Sequence, residues 1–181
     1  MNPTTNPTTS PTIKSKHIVF LPLAFVVVFL DQLGKFYVAR MIEIGTRVPL
    51  IGDLVAWTHI PAAGGAFGFF QDWAPAAQLI GFALLSIIAI LVIVTFYRGL
   101  ARGEHGSAAA LGAILGGIVS NTVDRVRYGS GVDFLHLGPV DADALPDFNV
   151  ADIAIVLGVV TLIVELLATE MAARVSERPD N

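Results

Sequence analysis

The chain contains no cysteine. That excludes disulfides, thiolate nucleophiles, thiolate metal sites and lipidation of the chain itself on cysteine. Charge is scarce as well. Only 14% of the 181 residues are Asp, Glu, Lys or Arg, and the formal net charge of −4 offers no basic footprint for nucleic acid. The four histidines, His17, His59, His105 and His136, are scattered, without the spacing of a metal site. None of them has a nucleophile placed to build a Ser-His-Asp arrangement. What the sequence has in excess is apolar: 54% of residues are hydrophobic and the mean hydropathy is +0.70. This composition excludes an ordinary soluble domain and implies an integral membrane protein.

The apolar residues fall into four runs. Residues 1–13, rich in Pro, Thr and Asn, have nothing to bury and are expected to be a disordered tail. Lys14 and Lys16 then precede "HIVFLPLAFVVVFL". A signal peptide would begin similarly, but no small-residue cleavage site follows; "DQLGKFYVAR" continues the helical pattern. The second span, Ala77 to Tyr97, carries no charge and is long enough to cross the hydrocarbon. The third, about Ser107 to Val123, is rich in Ala and Gly, with Gly112 and Gly116 forming a GxxxG that permits close helix approach. The fourth runs from about Phe148 to Met171.

The expected fold is therefore an α-helical integral membrane protein with four transmembrane helices in one domain over 14–173, followed by a short tail, 174–181. Lys14, Lys16, Arg98, Arg102, Arg174 and Arg178 all fall on one side of such a topology, which makes that side cytoplasmic. Two outer segments remain, about 41–72 and 125–147. In the first, "TRVPLIGDLVAWTHI" alternates and carries turn residues at Pro49 and Gly52, so a small extracytoplasmic β-element is expected between helices 1 and 2. Trp57, Phe69, Phe70 and Trp73 suit an interfacial segment beside it.

The unusual polar residues gather at the outer ends of the helices. Asp31 and Lys35 lie on helix 1, Asn121, Asp124 and Arg125 at the end of helix 3, Asp133 in the outer segment, and Asn149 and Asp152 at the start of helix 4. Each has a plain structural reading. Asn149 with Asp152 three residues on matches a helix N-cap with an acid in the first turn. Asp31 and Lys35 are spaced i,i+4 for an intrahelical pair. Asp124 beside Arg125 could form an ion pair, and Asp133 could be a loop residue, with Gly129 and Gly131 just ahead of it bending the chain. Taken together they say more, because ionisable residues at membrane depth are rare and are functional candidates by default. Two carboxylates brought close cannot both ionise cheaply, so they share a proton. One can then activate water while the other donates a hydrogen bond to a carbonyl. Asp133 and Asp152, on separate elements, are the candidates for such a pair.

The ordered motifs "DQLGK", "GGAFG", "SNTVDR", "GVDF" and "FNVAD" resemble those of bacterial lipoprotein signal peptidase, also called signal peptidase II. The resemblance covers most of the chain apart from its termini. It implies a membrane-embedded aspartyl endopeptidase of the bacterial cytoplasmic membrane that cleaves diacylglyceryl-modified prolipoproteins just before the lipidated cysteine, with no cofactor or metal. Its catalytic aspartates would be Asp133 and Asp152. Asp31, Lys35, Asn121, Asp124, Arg125 and Asn149 match its other characteristic polar positions. Three positions depart from the family pattern: Ala62 stands where an asparagine is expected, Gly131 where a larger apolar residue is usual, and Ser120 where glycine is common. His59 and Asn121 are the candidates to compensate for Ala62. Two other readings use the same residues. A non-catalytic lipoprotein-binding relative would keep the scaffold without turnover. A small ion or proton transporter would want acids near the bilayer midplane, where Asp31 is its best support.

Overall fold

The computed structural model describes residues 16–52, 54–62, 72–139 and 146–176. Four helices form the bundle: α1 (His17–Met41), α2 (Pro75–Gly99), α3 (His105–Tyr128) and α4 (Val150–Ser176). All four are long and apolar enough to cross a membrane. Three strands cap one end: β1 (Arg47–Ile51) and β2 (Val55–Ala62) between α1 and α2, and β3 (Gly131–Leu137) between α3 and α4. They form one antiparallel sheet in the order β1-β2-β3.

The bundle is organised around α3, which packs against α1, α4 and α2. Close approach explains its glycines. A Cβ on Gly112 would sit 2.5 Å from the Phe20 carbonyl oxygen, and one on Gly116 would sit 2.6 Å from that of Ala24. The GxxxG face therefore meets α1 backbone to backbone, as small residues allow in a membrane. On the opposite side Gly117 abuts the Ala151 carbonyl of α4, 2.5 Å from where its Cβ would be. Most other large apolar side chains on α1, α2 and α4 point outward, as lipid-facing residues do.

The structure refines three segment expectations. α3 runs past the expected bound near Val123 to Tyr128, with Asn121, Asp124 and Arg125 in its outer end as expected. Their polar groups find partners inside the bundle, and the helix stops only at Gly129, whose φ of 77° is left-handed and whose N–H bonds the Arg125 carbonyl. The outer segment 125–147 holds a strand, β3, which completes the sheet begun after α1. α4 extends to Ser176, past the expected end at Met171. The interfacial segment containing "GGAFG", Phe69 and Phe70, the N-terminal tail and residues 177–181 lie outside the described residues. Trp57 and Trp73 are both substantially exposed.

Two apolar clusters bracket the polar residues along the bundle. Phe20, Tyr97, Leu111 and Ile114 belong to one, at the end away from the sheet. Val38, Ile42 and Phe134 form the other, beneath the sheet.

Candidate active site

Asp152 enters the site through the geometry of its helix start. Asn149 and Asp152 bond reciprocally: the Asp152 backbone N–H donates to Asn149 Oδ1 at 3.0 Å, and the Asn149 backbone N–H donates to Asp152 Oδ2 at 3.2 Å. This is a capping box, which satisfies two otherwise orphaned donors and locks the first turn. The expected N-cap reading holds, and the same box fixes the Asp152 carboxylate in place. Asn121 Nδ2 donates to its other oxygen at 2.8 Å.

Asp133 arrives on β3. The backbone N–H and C=O of Phe148 pair with Leu135, so the chain leading into α4 runs alongside β3. That pairing brings Asn149 within reach of Asp133, and Asn149 Nδ2 donates to Asp133 Oδ1 at 2.8 Å. One asparagine amide thus touches both acidic residues: its nitrogen holds the Asp133 carboxylate and its oxygen holds the Asp152 main chain. The remaining Asp133 oxygen has no hydrogen-bond partner among the described residues. Burial pushes the Asp133 carboxyl up to about 7, and the Asp152 charge adds to the rise. The Asn149 hydrogen bond and the Lys35 and Arg125 charges oppose it.

Beneath this pair lies a buried charge network on α1 and α3. Lys35, 5% exposed, bonds Asp31 at 2.5 Å, Asp124, and Asn121 Oδ1 at 3.1 Å. The expected Asp31–Lys35 pair is therefore present and extended to a third helix residue. Asp31 does more than pair: its Oδ1 accepts the Ala151 N–H at 2.9 Å, in the first turn of α4, while its Oδ2 accepts from Ser120 Oγ at 2.7 Å. A carboxylate at a helix N-terminus is favoured by the orphan N–H groups and the dipole. Asp31 lies ten residues from the end of α1, about 15 Å along the axis, yet it is level with the start of α4 because α1 overhangs toward the sheet.

Asp124 and Arg125 do not pair with each other. Asp124 takes Lys35 and Gln32 Nε2, the latter at 2.7 Å, both on α1. Arg125 donates to the Asn121 carbonyl at 2.8 Å and lies over the Phe82 ring of α2 at 4.1 Å. The eight polar residues singled out from the sequence thus converge, with Asn121 joining Lys35 to Asp152 and Asn149 joining Asp152 to Asp133.

Several contributors were not singled out. Gln32 donates to Ser120 Oγ at 2.9 Å as well as to Asp124. His136, fully buried on β3, has Nδ1 2.8 Å from Asp147, whose other oxygen accepts from Arg47 of β1 at 3.0 Å. This link ties two strands to the chain just ahead of Asn149. Gln32 sits in "DQLGK" between two residues that were chosen, so proximity in sequence could have found it. His136 carried no such signal. The substitutes proposed for Ala62 are already engaged: His59 Nδ1 lies 2.7 Å from the Ile42 carbonyl, and both ends of the Asn121 amide are taken. Ala62 and Gly131, two of the three departures, are direct partners in the β2–β3 register.

Fold and site together define a multi-pass membrane protein whose ionisable residues meet at one end of a four-helix bundle, under a small sheet. Comparison with known proteins gives the family. The sequence model of the signal peptidase (SPase) II family matches residues 23–168. A lipoprotein signal peptidase of Geobacter sulfurreducens is 37% identical over 141 residues, which is 78% of this chain and 86% of that protein. One from Pseudomonas fluorescens is 33% identical over 151 residues, 83% of this chain and 88% of that protein. A bacterial membrane enzyme solved by the in meso method at 2.3 Å superposes with a TM-score of 0.74 at 26% identity, covering 88% of this chain and 93% of that one. The chain belongs to the signal peptidase II family.

Proposed function

We propose that the protein is an aspartyl endopeptidase that removes signal peptides from diacylglyceryl-modified prolipoproteins, cutting before the lipidated cysteine. The observation that carries this reading is the Asn149 bridge, which holds Asp133 and anchors the helix start bearing Asp152. Asp133, with its raised pKa and one oxygen without a hydrogen-bond partner among the described residues, carries the shared proton and donates to the scissile carbonyl. Asp152, held by Asn121 and the Asn149 main chain, takes a proton from the attacking water. Collapse of the resulting gem-diol breaks the C–N bond, with a proton delivered to the leaving amine. Asp31, Lys35, Asp124 and Arg125 hold the frame and do not touch the reacting atoms.

The substrate's acyl chains would stay in lipid beside the bundle, with its signal helix alongside. The distribution of Lys and Arg supports cytoplasmic termini and a site on the outer face of the cytoplasmic membrane. Water can reach a site at that level, as hydrolysis requires. A transporter reading is disfavoured, since Asp31 lies at the level of the α4 N-terminus with the other acids.

The test is processing of a lipidated precursor by purified protein in detergent. Asp133→Asn and Asp152→Asn should each abolish cleavage while thermal unfolding shows a folded protein. Full activity in either variant refutes the pair. A wild-type protein that binds the precursor without turnover would instead support the binding-relative reading that Ala62 raises.

A further inference from the structure

A concavity opens beside α1; neither Asp133 nor Asp152 lines it, although Gln32 and Lys35 of the charge network do. It encloses about 820 Å³ between α1, the end of α3 and the edge formed by β2 and β3. That is the size of pockets that hold small amphiphilic ligands, roughly 300–1,000 Å³. Phe29, Leu33 and Phe36, spaced i, i+4, i+7, form its α1 wall and are 40–54% exposed. Arg40 and Arg127 stand at its upper end, in the last turns of α1 and α3.

The two guanidiniums are prepared for an anion. Arg40 lies over the Phe36 ring at 4.1 Å and Arg127 over Tyr128 at 5.6 Å. Stacking uses the flat face of a guanidinium and leaves its in-plane N–H donors free. Among the described residues neither has an acidic partner, unlike Arg47, which is committed to Asp147. The other basic groups along the wall are engaged: Lys35 with Asp31 and Asp124, and His59 with the Ile42 carbonyl. The unpartnered charge lies at one end. From Arg40 down to Phe29 is eleven residues, about 16 Å of helix, with the exposed side chains passing from Arg40 to Phe36, Leu33 and Phe29 and with Gln32 and Lys35 beside them, already held by Ser120, Asp31 and Asp124.

We propose that this cleft is a binding site for an anionic glycerophospholipid. Its phosphodiester would lie between Arg40 and Arg127, and one acyl chain would run down the wall of Phe36, Leu33 and Phe29. A zwitterionic lipid would offer the same chains, but its cationic headgroup would face two arginines. The inference does not depend on the hydrolytic reading, because its measurement is lipid retention and not cleavage.

The full chain, purified in detergent, would be offered dioleoyl-phosphatidylglycerol and dioleoyl-phosphatidylcholine at equal concentration, with bound lipid counted by native mass spectrometry. The expected result is preferential retention of phosphatidylglycerol by about tenfold or more, the scale of a charge-assisted hydrogen bond. The Arg40→Gln/Arg127→Gln double variant should retain both lipids alike, and millimolar inorganic phosphate should not displace the lipid from wild type. Equal retention of the two lipids by wild type overturns the proposal without need of any variant. So does an unchanged preference in a double variant with the wild-type melting temperature. Displacement by inorganic phosphate would assign the arginines to a soluble anion and overturn it as well.

Discussion

Lys35 is nearly sealed from solvent between Asp31 and Asp124, and a buried charge is stable only while its partners remain. Lys35→Met leaves two carboxylates facing each other without a cation. It should lower stability by about 3–5 kcal/mol, the cost of breaking a buried pair. Arg174→Gln removes an ion pair that is 76% and 52% exposed and should change stability by less than about 0.5 kcal/mol. Thermal unfolding of both variants in one detergent checks the contrast. Asp133 predicts a pH dependence. Its carboxyl titrates near 3.8 in an unfolded chain and near 7 here, so between those values the folded state binds more protons. Stability from this group is therefore greatest in acid, falls as pH rises through about 7, and is level above. Asp133→Asn abolishes that slope, so its gain in melting temperature over wild type should be larger at pH 8 than at pH 4. On the proposed mechanism, wild-type cleavage should also decline as pH climbs through about 7. Of this chemistry the sequence made the Asp31–Lys35 pair legible, because i,i+4 is a local relation. It could not reveal that Asp124, on another helix, takes the same ammonium.

At the level of the element, β3 is positioned by a socket on α1. Gly34 lies under the Phe134 ring, whose Cζ is 2.5 Å from where a Cβ would be. Gly34→Ala must displace that ring, which is the buried anchor of the strand carrying Asp133. The expected loss is about 1–3 kcal/mol, as for overpacked cores, with reduced precursor processing. Gly99→Ala, where nothing lies within 4 Å, serves as the control and should be silent in both measurements. The four helices were readable because each contains a long apolar stretch. β3 was not, since seven residues beside a glycine bend make a weak local signal and the partner strand lies far away in sequence. The end of α3 was misjudged for a related reason. The third span was expected only to about Val123 because Asp124 and Arg125 are charged, whereas both are satisfied inside the bundle and the helix continues to Tyr128.

For the whole molecule, the orientation can be tested directly because the chain has no cysteine to interfere. In intact cells a membrane-impermeant maleimide should label Asp72→Cys, at the sheet end, and should label Arg102→Cys only after lysis. The reverse pattern would place the site on the cytoplasmic face and contradict the proposed topology. The antiparallel sequence of helices was legible from the spacing of the apolar runs. The central place of α3 was only half legible: Gly112 and Gly116 announced one contact face, while Gly117 gave no sign that α4 packs on the other.

The sheet that roofs the site is assembled from two distant stretches, β1 and β2 after the first helix and β3 after the third. Neither the β2–β3 pairing nor the Asn149 bridge can exist until α3 has crossed the bilayer and α4 has begun to follow. A nascent chain emerging from the ribosome therefore remains inert through most of its synthesis. On the proposed mechanism, the capacity to cut would arrive only with the final helix, and a truncated translation product would lack the Asn149 bridge and be inactive.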